Sequence, residues 1–422
     1  MEMKALKGTS DVLPDAAGLW RYIENAARRI FAVYGYREVR TPLIEETPVF
    51  TRTIGDSSEI VTKQMYTFID RGKRSISLRP EATAGCVRAY LEGAVDKTSG
   101  FVKWFYLGPM FRSERPQSGR LRQFHQIGAE AIGSYSPFLD AEMISLASRV
   151  LKECGIDGFE VRLNTLGCDK DKSKFNGILK KELEGRLGLL CTDCKERYKK
   201  NVLRVFDCKN ASCIDAVKGL PKISGHICED CSRDFSIVKE ALTLLKVPYK
   251  VDEYIVRGLD YYTKTVFEIT HPALGAKDVI GAGGRYDNLL GRMGGADAGA
   301  VGFALGIERM IMAVGDKPLG ERRGVDVYIA TMGADAYRRG YTILSSLREK
   351  NFTCDIDYNI RSIKAQLRQA NKLKARFVII IGEEEIKNDN VMLKDMSAGS
   401  QAEVSVDGII GKISEILTAD TR

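Results

Sequence analysis

No run of apolar residues in this chain of 422 is long enough to cross a bilayer. The first residues, Met1-Glu-Met-Lys-Ala-Leu-Lys, lack the apolar core of a secretory signal. The expected compartment is therefore cytoplasmic, with no membrane partner. Histidine is scarce: only His125, His226 and His271 occur. Chemistry built on a histidine base or a multi-histidine metal centre has little material to work with. Internal repeats, heptad arrays and low-complexity tracts are also missing, which sets aside solenoids and coiled coils.

What is present describes an ordinary soluble globular protein, with 44% hydrophobic and 28% charged residues and length for two or three domains. The net charge of +8 favours a polyanionic partner over a cationic one. Arginine and glutamate dominate the polar motifs, a pattern suited to phosphate recognition and charge stabilisation more than to proton shuttling. The ten cysteines are expected to be reduced thiols, and six of them fall within residues 191–231.

Residues 105–130 are the most informative stretch. They read as two strands joined by a basic loop. Side chains alternate along a strand, so Arg122, Phe124, Gln126, Gly128 and Glu130 share one face while His125, Ile127, Ala129 and Ala131 share the other. The second face is core. The first, with a cation, a ring, an amide, a gap and a carboxylate, is costly to bury unless partners satisfy it. A ligand with an aromatic base, a charge and hydrogen-bonding edges would do so, and Arg112 and Glu114 close the first strand beside it.

Elsewhere, apolar residues from Leu19 to Tyr34 recur at helical spacing, Gly35 ends that helix, and a strand is expected over 36–41. A strand over 75–78 leads through Pro80 into a helix running towards Leu91. Residues 138–153 are expected to be helical. From about 170 to 250 lysine and cysteine become frequent and strand signals fade, as in an inserted helical subdomain. Strand signals resume over 254–269, and 299–309 runs from a strand into a helix. The charged, glycine- and proline-bearing stretch 317–324 marks a domain boundary. Beyond it, strands at 325–330, 354–358, 377–381, 391–394 and 402–406 alternate with helices at 335–350, 362–375 and 409–417, implying a partly parallel sheet.

The motifs resemble those of the bacterial histidyl-tRNA synthetase family, class II aminoacyl-tRNA synthetases, over essentially the whole length. Residues 35–45 (GYREVRTPLIE) are similar to the first class II motif, 111–114 (FRSE) with 122–126 (RQFHQ) to the second, and 302–309 (GFALGIER) to the third. These place the class. Residues 79–83 (RPEAT), 257–262 (RGLDYY) and 283–287 (GGRYD) resemble segments peculiar to the histidine enzyme. Ala82 stands where glycine is expected.

The resemblance implies an α+β fold: a catalytic domain over 1–320 on an antiparallel sheet, with its helical insertion, and an α/β anticodon-binding domain over 325–422. It implies that histidine and ATP, with Mg2+, form histidyl-adenylate, and that histidine then passes to its tRNA. A homodimer built partly on the first motif is implied as well. By the same resemblance Arg112 bridges carboxylate and α-phosphate, and Arg257 contacts that phosphate from the opposite side. Phe124 and Arg309 sandwich adenine, with Glu114 and Arg120 on the nucleotide. Glu81 and Thr83 hold the α-ammonium group, and Gln126, Glu130, Tyr262 and Tyr286 line the side-chain pocket. Arg115 and Gln117 face the acceptor end of tRNA. On the second helix of the C-terminal domain, Arg361, Lys364, Arg368, Lys372 and Lys374 form a basic run open to the anticodon region or to solvent. Gly281, Gly283 and Gly284 do not have dinucleotide-loop spacing, and close backbone approach to substrate is the expected reason for them.

Cys191, Cys194, Cys228 and Cys231 form two C-x2-C pairs, a spacing that suits one structural zinc ion. The long intervening stretch, the distance from the catalytic motifs and the metal-independence of the family's fold in general weigh on the other side, and the metal-free reading is preferred. Two rivals to the enzyme reading are a histidine-binding regulatory paralogue, which should lack Arg257 or Arg309 and the C-terminal domain, and a prolyl- or threonyl-specific enzyme, against which residues 257–262 speak.

Overall fold

The computed structural model describes residues 3–55, 58–117, 119–315, 317, 319, 324–359 and 361–419. It separates into two units, Met1–Gly320 and Glu321–Arg422.

The first unit is built on eight strands in the spatial order Arg37–Glu38, Val102–Phe111, Gln123–Ile132, Ala300–Gly306, Val279–Arg285, Thr263–Thr270, Glu160–Thr165 and Lys250–Val251. Neighbours run antiparallel except for the two outermost pairs, which are parallel. The alternation read from residues 122–131 decides which face goes where. Ile127, Ala129 and Ala131, with Val301, Phe303 and Leu305 of the next strand, pack into the main core beneath helices Pro14–Val33, Pro137–Glu153 and Ile307–Val314. Intervening residues on both strands face the other way and floor a cavity. Proline stands at the start of helices Pro14–Val33 and Pro137–Glu153, where its missing N–H costs nothing.

Two expected strands are much shorter than read. Only Arg37–Glu38 of 36–41 pairs with the sheet. Residues 254–262 form a loop, and the strand begins at Thr263. Gly258 and Asp260 interrupt the β pattern there, and the loop is anchored by its own polar contacts. Asn201 Nδ2 donates to Asp260 Oδ1 at 2.7 Å, and Lys172 Nζ donates to the carbonyl of Tyr262 at 2.9 Å.

The insertion is helical, with helices Asp169–Glu184, Thr192–Lys200, Ala211–Val217 and Glu229–Leu244 joined by short 3-10 turns. A small sheet of Ile44–Glu46, Ser75–Leu78 and Thr67–Ile69 flanks the catalytic sheet in sequence.

In the second unit, Cys354–Ile356, Val327–Thr331 and Phe377–Ile381 are parallel neighbours, and Asn390–Asp395 and Gln401–Ser405 continue the sheet antiparallel. Val327 and Ile329 pack into one apolar cluster and Tyr328 and Ala330 into another on the opposite face, as a sheet covered on both sides requires. Helices Ala334–Glu349, Ile363–Lys372 and Ile409–Ala419 complete the unit. Within the basic run, Arg361 is tied to Asp357 at 2.8 Å, while Lys364, Arg368 and Lys372 lie on the helix Ile363–Lys372.

Candidate active site

A cavity of about 540 Å³ opens on the sheet face opposite the main core. Its lining includes Glu81, Thr83, Arg112, Glu114, Arg120, Phe124, Gln126, Arg257, Tyr262, Tyr286 and Arg309. Residues separated by more than 200 positions are thus brought to one place by strand order. The volume lies within the range of small-molecule sites.

Behind the lining at one end, and not itself part of it, is Glu130, only 1% exposed. The Thr83 hydroxyl donates to Glu130 Oε1 at 2.7 Å, and the Tyr286 hydroxyl donates to Oε2. Burial pushes this carboxyl up to about 8, with the neighbouring Glu81 adding to the rise and the two hydroxyls opposing it. Protonated below about 8, the carboxyl keeps one O–H to donate and lone pairs to accept, so it can meet either edge of a polar ligand. Glu81 sits at the start of helix Thr83–Glu92, where its oxygens accept the amides of Thr83 and Ala84 at 2.7 and 2.9 Å. Burial raises its pKa, against the pull of those amides and of Arg112. The rings of Tyr261 and Tyr262 lie 4.7 Å apart, and those of Tyr261 and Tyr286 5.5 Å apart, so the three tyrosines form one wall.

The other end is cationic. Arg112 donates through Nε to the carbonyl of Pro80 at 2.9 Å, and its guanidinium lies 5.2 Å from the centre of the Phe124 ring. Glu114 is 4.0 Å from Arg112 and 3.1 Å from Arg120. Arg309 is held by the carbonyls of Gly119 and Val279. Burial lowers the pKa of both Arg112 and Arg309, and Arg120 lowers each further, so the three cations oppose one another. Such crowding costs free energy that a bound polyanion would relieve. Arg257 forms an ion pair with Glu268, and its guanidinium stands 5.6 Å from the Tyr262 ring centre.

Among the described residues, Gln126 Oε1 and Arg257 Nε are buried without a hydrogen-bond partner in the protein. Both belong to cavity-lining residues. An orphaned acceptor and an orphaned donor of this kind are what a polar ligand would satisfy.

The structure gives Gly281, Gly283 and Gly284 a packing reason, and of the three Gly281 also lines the cavity. A Cβ at these positions would strike protein: Leu305 and the carbonyl of Ala304, the carbonyl of Gly302 with Phe267, and the carbonyl of Thr265 with the Tyr262 ring. The glycines that shape the cavity are Gly302 and Gly128. A Cβ on Gly302 would lie 1.7 Å from Glu130 Oε2, and one on Gly128 would lie 2.3 Å from the Tyr106 hydroxyl. These gaps are what allow the two side chains to reach their places.

Arg115 and Gln117 are exposed on the loop between the two long strands, outside the cavity lining. Gln117 and Arg120 exchange backbone hydrogen bonds of 3.1 and 2.9 Å. Arg285 of the 283–287 segment turns away from the cavity into a buried pair with Asp140 and Asp287. Tyr286 next to it faces Glu130. Sequence reasoning missed Glu59, Arg204, Asp207 and Lys209, which also line the cavity. Three of them belong to the insertion, and no periodicity or motif marked them. His125 is not mere core. Its ring lies 3.0 Å from Glu308, which also accepts the His125 amide.

The two C-x2-C pairs do not converge on one point. The structure places Cys191 and Cys194 with Cys208 and Cys213, and Cys228 and Cys231 with Cys168 and Asp171. The joint site at Cys191, Cys194, Cys228 and Cys231 is therefore corrected: Cys228 caps helix Glu229–Leu244 beside the start of helix Asp169–Glu184, away from the first pair.

Comparison with known proteins agrees with this geometry. The family model described as histidyl-tRNA synthetase matches residues 8–169 and 209–310, and an anticodon binding domain model matches 326–416. The histidine–tRNA ligase of Halothermothrix orenii is 46% identical over 99% of this chain and 100% of its own length. That of Moorella thermoacetica is 46% identical over 96% of each. The crystal structure of apo Staphylococcus aureus histidyl-tRNA synthetase superposes with a TM-score of 0.82 at 34% identity, covering 98% of this chain and all of that one. A sheet that gathers arginines, tyrosines and glutamates of five of the six motifs round one cavity, together with this full-length similarity, shows that the chain belongs to the histidyl-tRNA synthetase family.

Proposed function

We infer that this protein activates L-histidine with ATP and transfers it to tRNA(His). The single observation that carries the reading is the shared cavity. A cationic end fit for a triphosphate adjoins a buried carboxyl and tyrosine wall fit for an imidazole. A histidine carboxylate oxygen attacks the α-phosphorus of ATP, the bond to the β-phosphate oxygen breaks, and pyrophosphate leaves. The terminal tRNA hydroxyl then attacks the activated carbonyl and AMP departs. The attacking carboxylate is already ionised, so positioning and cationic stabilisation carry the first step. Arg112 and Arg257 are assigned to the α-phosphate, and Glu114 and Arg120 to the nucleotide. Phe124 and Arg309 are assigned to the adenine ring, which aromatic and guanidinium faces suit. Glu81 and Thr83 are assigned to the α-ammonium. Gln126, Glu130, Tyr262 and Tyr286 are assigned to the imidazole. Mg2+ enters with ATP as substrate.

Histidine-dependent ATP–pyrophosphate exchange tests the reading. Exchange supported by histidine upholds it; exchange supported by proline or threonine and not histidine refutes it. A regulatory paralogue is disfavoured because Arg257, Arg309 and the second unit are all present.

Phe124→Ala should weaken ATP binding by roughly tenfold, since base–aromatic stacking contributes about 1–3 kcal/mol. Equilibrium binding of ATP to the variant checks this, and histidine binding should change little.

The raised Glu130 carboxyl predicts a pH profile for histidine. Below about 8 the free protein holds Glu130 protonated, and above about 6.5 the histidine ring is neutral. The pair needs one proton between them. Histidine affinity should therefore be flat from about 6.5 to 8 and fall about tenfold per pH unit above that window, where a proton must be taken up. In Glu130→Gln the fall at high pH should vanish. Calorimetric titration across pH distinguishes the two profiles.

The acceptor loop with Arg115 and Gln117, and the second unit with Lys364, Arg368 and Lys372, are proposed to contact tRNA; net charge of +8 supports this. A homodimer is proposed from the exposed Leu43, Ile44, Phe68 and Ile69 on or next to the small sheet. A cytoplasmic setting is proposed, and among the described residues no helix is long and apolar enough to cross a membrane.

A further inference from the structure

The insertion contains a cluster that neither reaction step uses. Cys191 precedes helix Thr192–Lys200, Cys194 lies in its first turn, Cys208 ends the 3-10 segment Val202–Asp207, and Cys213 lies in the first turn of helix Ala211–Val217. Their four sulfurs lie within 4.8 Å of one another. We propose that Cys191, Cys194, Cys208 and Cys213 bind one structural zinc ion, which braces the insertion wall of the active-site cavity.

The geometry fits an ion and not a disulfide. Sulfurs about 2.3 Å from a tetrahedral zinc stand about 3.8 Å from each other, and Cys191 Sγ to Cys208 Sγ is 3.9 Å. A disulfide would need about 2.05 Å, and all four are free thiols. Two backbone amides already point at the sulfurs, as in the outer shell of a thiolate site. Cys191 N donates to Cys213 Sγ at 3.1 Å and Asn210 N to Cys208 Sγ at 3.5 Å. The spacings, C-x2-C and C-x4-C, put each pair on a short turn, the usual way a chain presents two ligands to one ion. Buried thiols can also pack as small apolar groups, but that packing does not require four of them from separate turns to converge. The second cluster has another explanation. The Asp171 carboxylate there accepts the amides of Cys168 and Cys228 at 3.1 and 3.0 Å, so it is accounted for as a helix cap.

The position gives the ion its role. The cysteines bracket residues 195–207, and Arg204, Asp207 and Lys209 line the cavity. Arg197 and Arg204 meet Glu59, another lining residue, at 2.9 and 3.6 Å. Asn201 holds Asp260 on the loop that carries Arg257. Pinning both ends of this segment fixes the wall, behind which Val202, Leu203 and Val205 pack into a larger apolar cluster.

The test uses the full chain, grown with zinc and purified under reducing conditions without chelator. About one zinc per chain is expected by elemental analysis. Cobalt exchanged into the site should give thiolate-to-metal charge-transfer absorption with tetrahedral d–d bands. Cys208→Ser and Cys213→Ser should lose the ion, while Cys228→Ser with Cys231→Ser should keep it. Should the first variants fail to fold, titrating wild-type thiols with a mercurial serves instead, with zinc released as about four thiols react. Extraction of the ion should also speed tryptic cleavage after Lys199, Lys200 or Lys209. Less than about half an ion per chain, an ion kept without Cys208 or Cys213, or an ion lost with Cys228 and Cys231 overturns the site. Unchanged proteolysis after extraction overturns its bracing role.

Discussion

Arg257→Ala should lower histidine-dependent ATP–pyrophosphate exchange by about 10²-fold or more while leaving the dissociation constant for histidine nearly unchanged. The reason is where the guanidinium stands and what it lacks. It is packed in the cavity wall near the Tyr262 ring and paired with Glu268, and its Nε has no hydrogen-bond partner among the described residues. A donor left unsatisfied in the free protein and close to the reacting groups is of most use when charge builds on phosphorus. Its removal should therefore act on the transition state and not on the bound amino acid. Alanine also leaves the Glu268 carboxylate without its cation in the cavity lining, which opposes an anionic substrate. Arg257→Lys should recover part of the rate, because a point charge restores the field but not the planar fork. Single-turnover adenylation measured beside equilibrium histidine binding separates the two effects. Weakened binding with unchanged turnover would assign Arg257 to histidine recognition instead.

Gly302→Ala should lower kcat/KM for histidine by about 10²-fold, with ATP binding retained. The added methyl would sit 1.7 Å from Glu130 Oε2, and the carbonyl of Ala129 on the other side, at 2.7 Å, leaves it no room. The carboxyl must move, and with it the hydrogen bonds from Thr83 and Tyr286. A buried hydrogen bond to a charged or ionisable group contributes about 1.5–3 kcal/mol, and histidine recognition would lose that and the shape of the slot. Glu130→Ala should weaken histidine to a similar degree. Combining the two should add little beyond either alone, since both act through one carboxyl. Additive losses would mean that Gly302 matters for some other contact.

These two expectations differ in where they come from. Much of the hairpin was readable from alternation alone: Phe124 and Gln126 line the cavity and Ile127, Ala129 and Ala131 lie in the core, but Arg122 precedes the strand and lies outside the lining, Glu130 is buried behind Thr83 and Tyr286, and His125 pairs with Glu308. The gap at Gly128 was visible too. That Tyr106 would fill it, or that Gly302 would make room for Glu130, depends on strand pairing between segments far apart in sequence, and register across a sheet is not written in either strand. Assigning Arg112, Arg257 and Arg309 to one substrate rested on family resemblance, not on spacing. The contribution of Arg204, Asp207 and Lys209 was hidden because they lie in an irregular insertion whose placement is set by tertiary contacts. The cysteines make the same point. Spacing identifies pairs, but which pairs converge is a matter of helix packing, and Cys191 and Cys194 joined Cys208 and Cys213 in place of the second C-x2-C pair.

The most direct test of the account is a crystal structure of the protein with a non-hydrolysable histidyl-adenylate analogue. The guanidinium groups of Arg112 and Arg257 should both lie within hydrogen-bonding distance of the group that replaces the α-phosphate, with the imidazole between Glu130 and Tyr262. An analogue bound with only one of those arginines at that group, or with its imidazole away from Glu130, would contradict the proposed site.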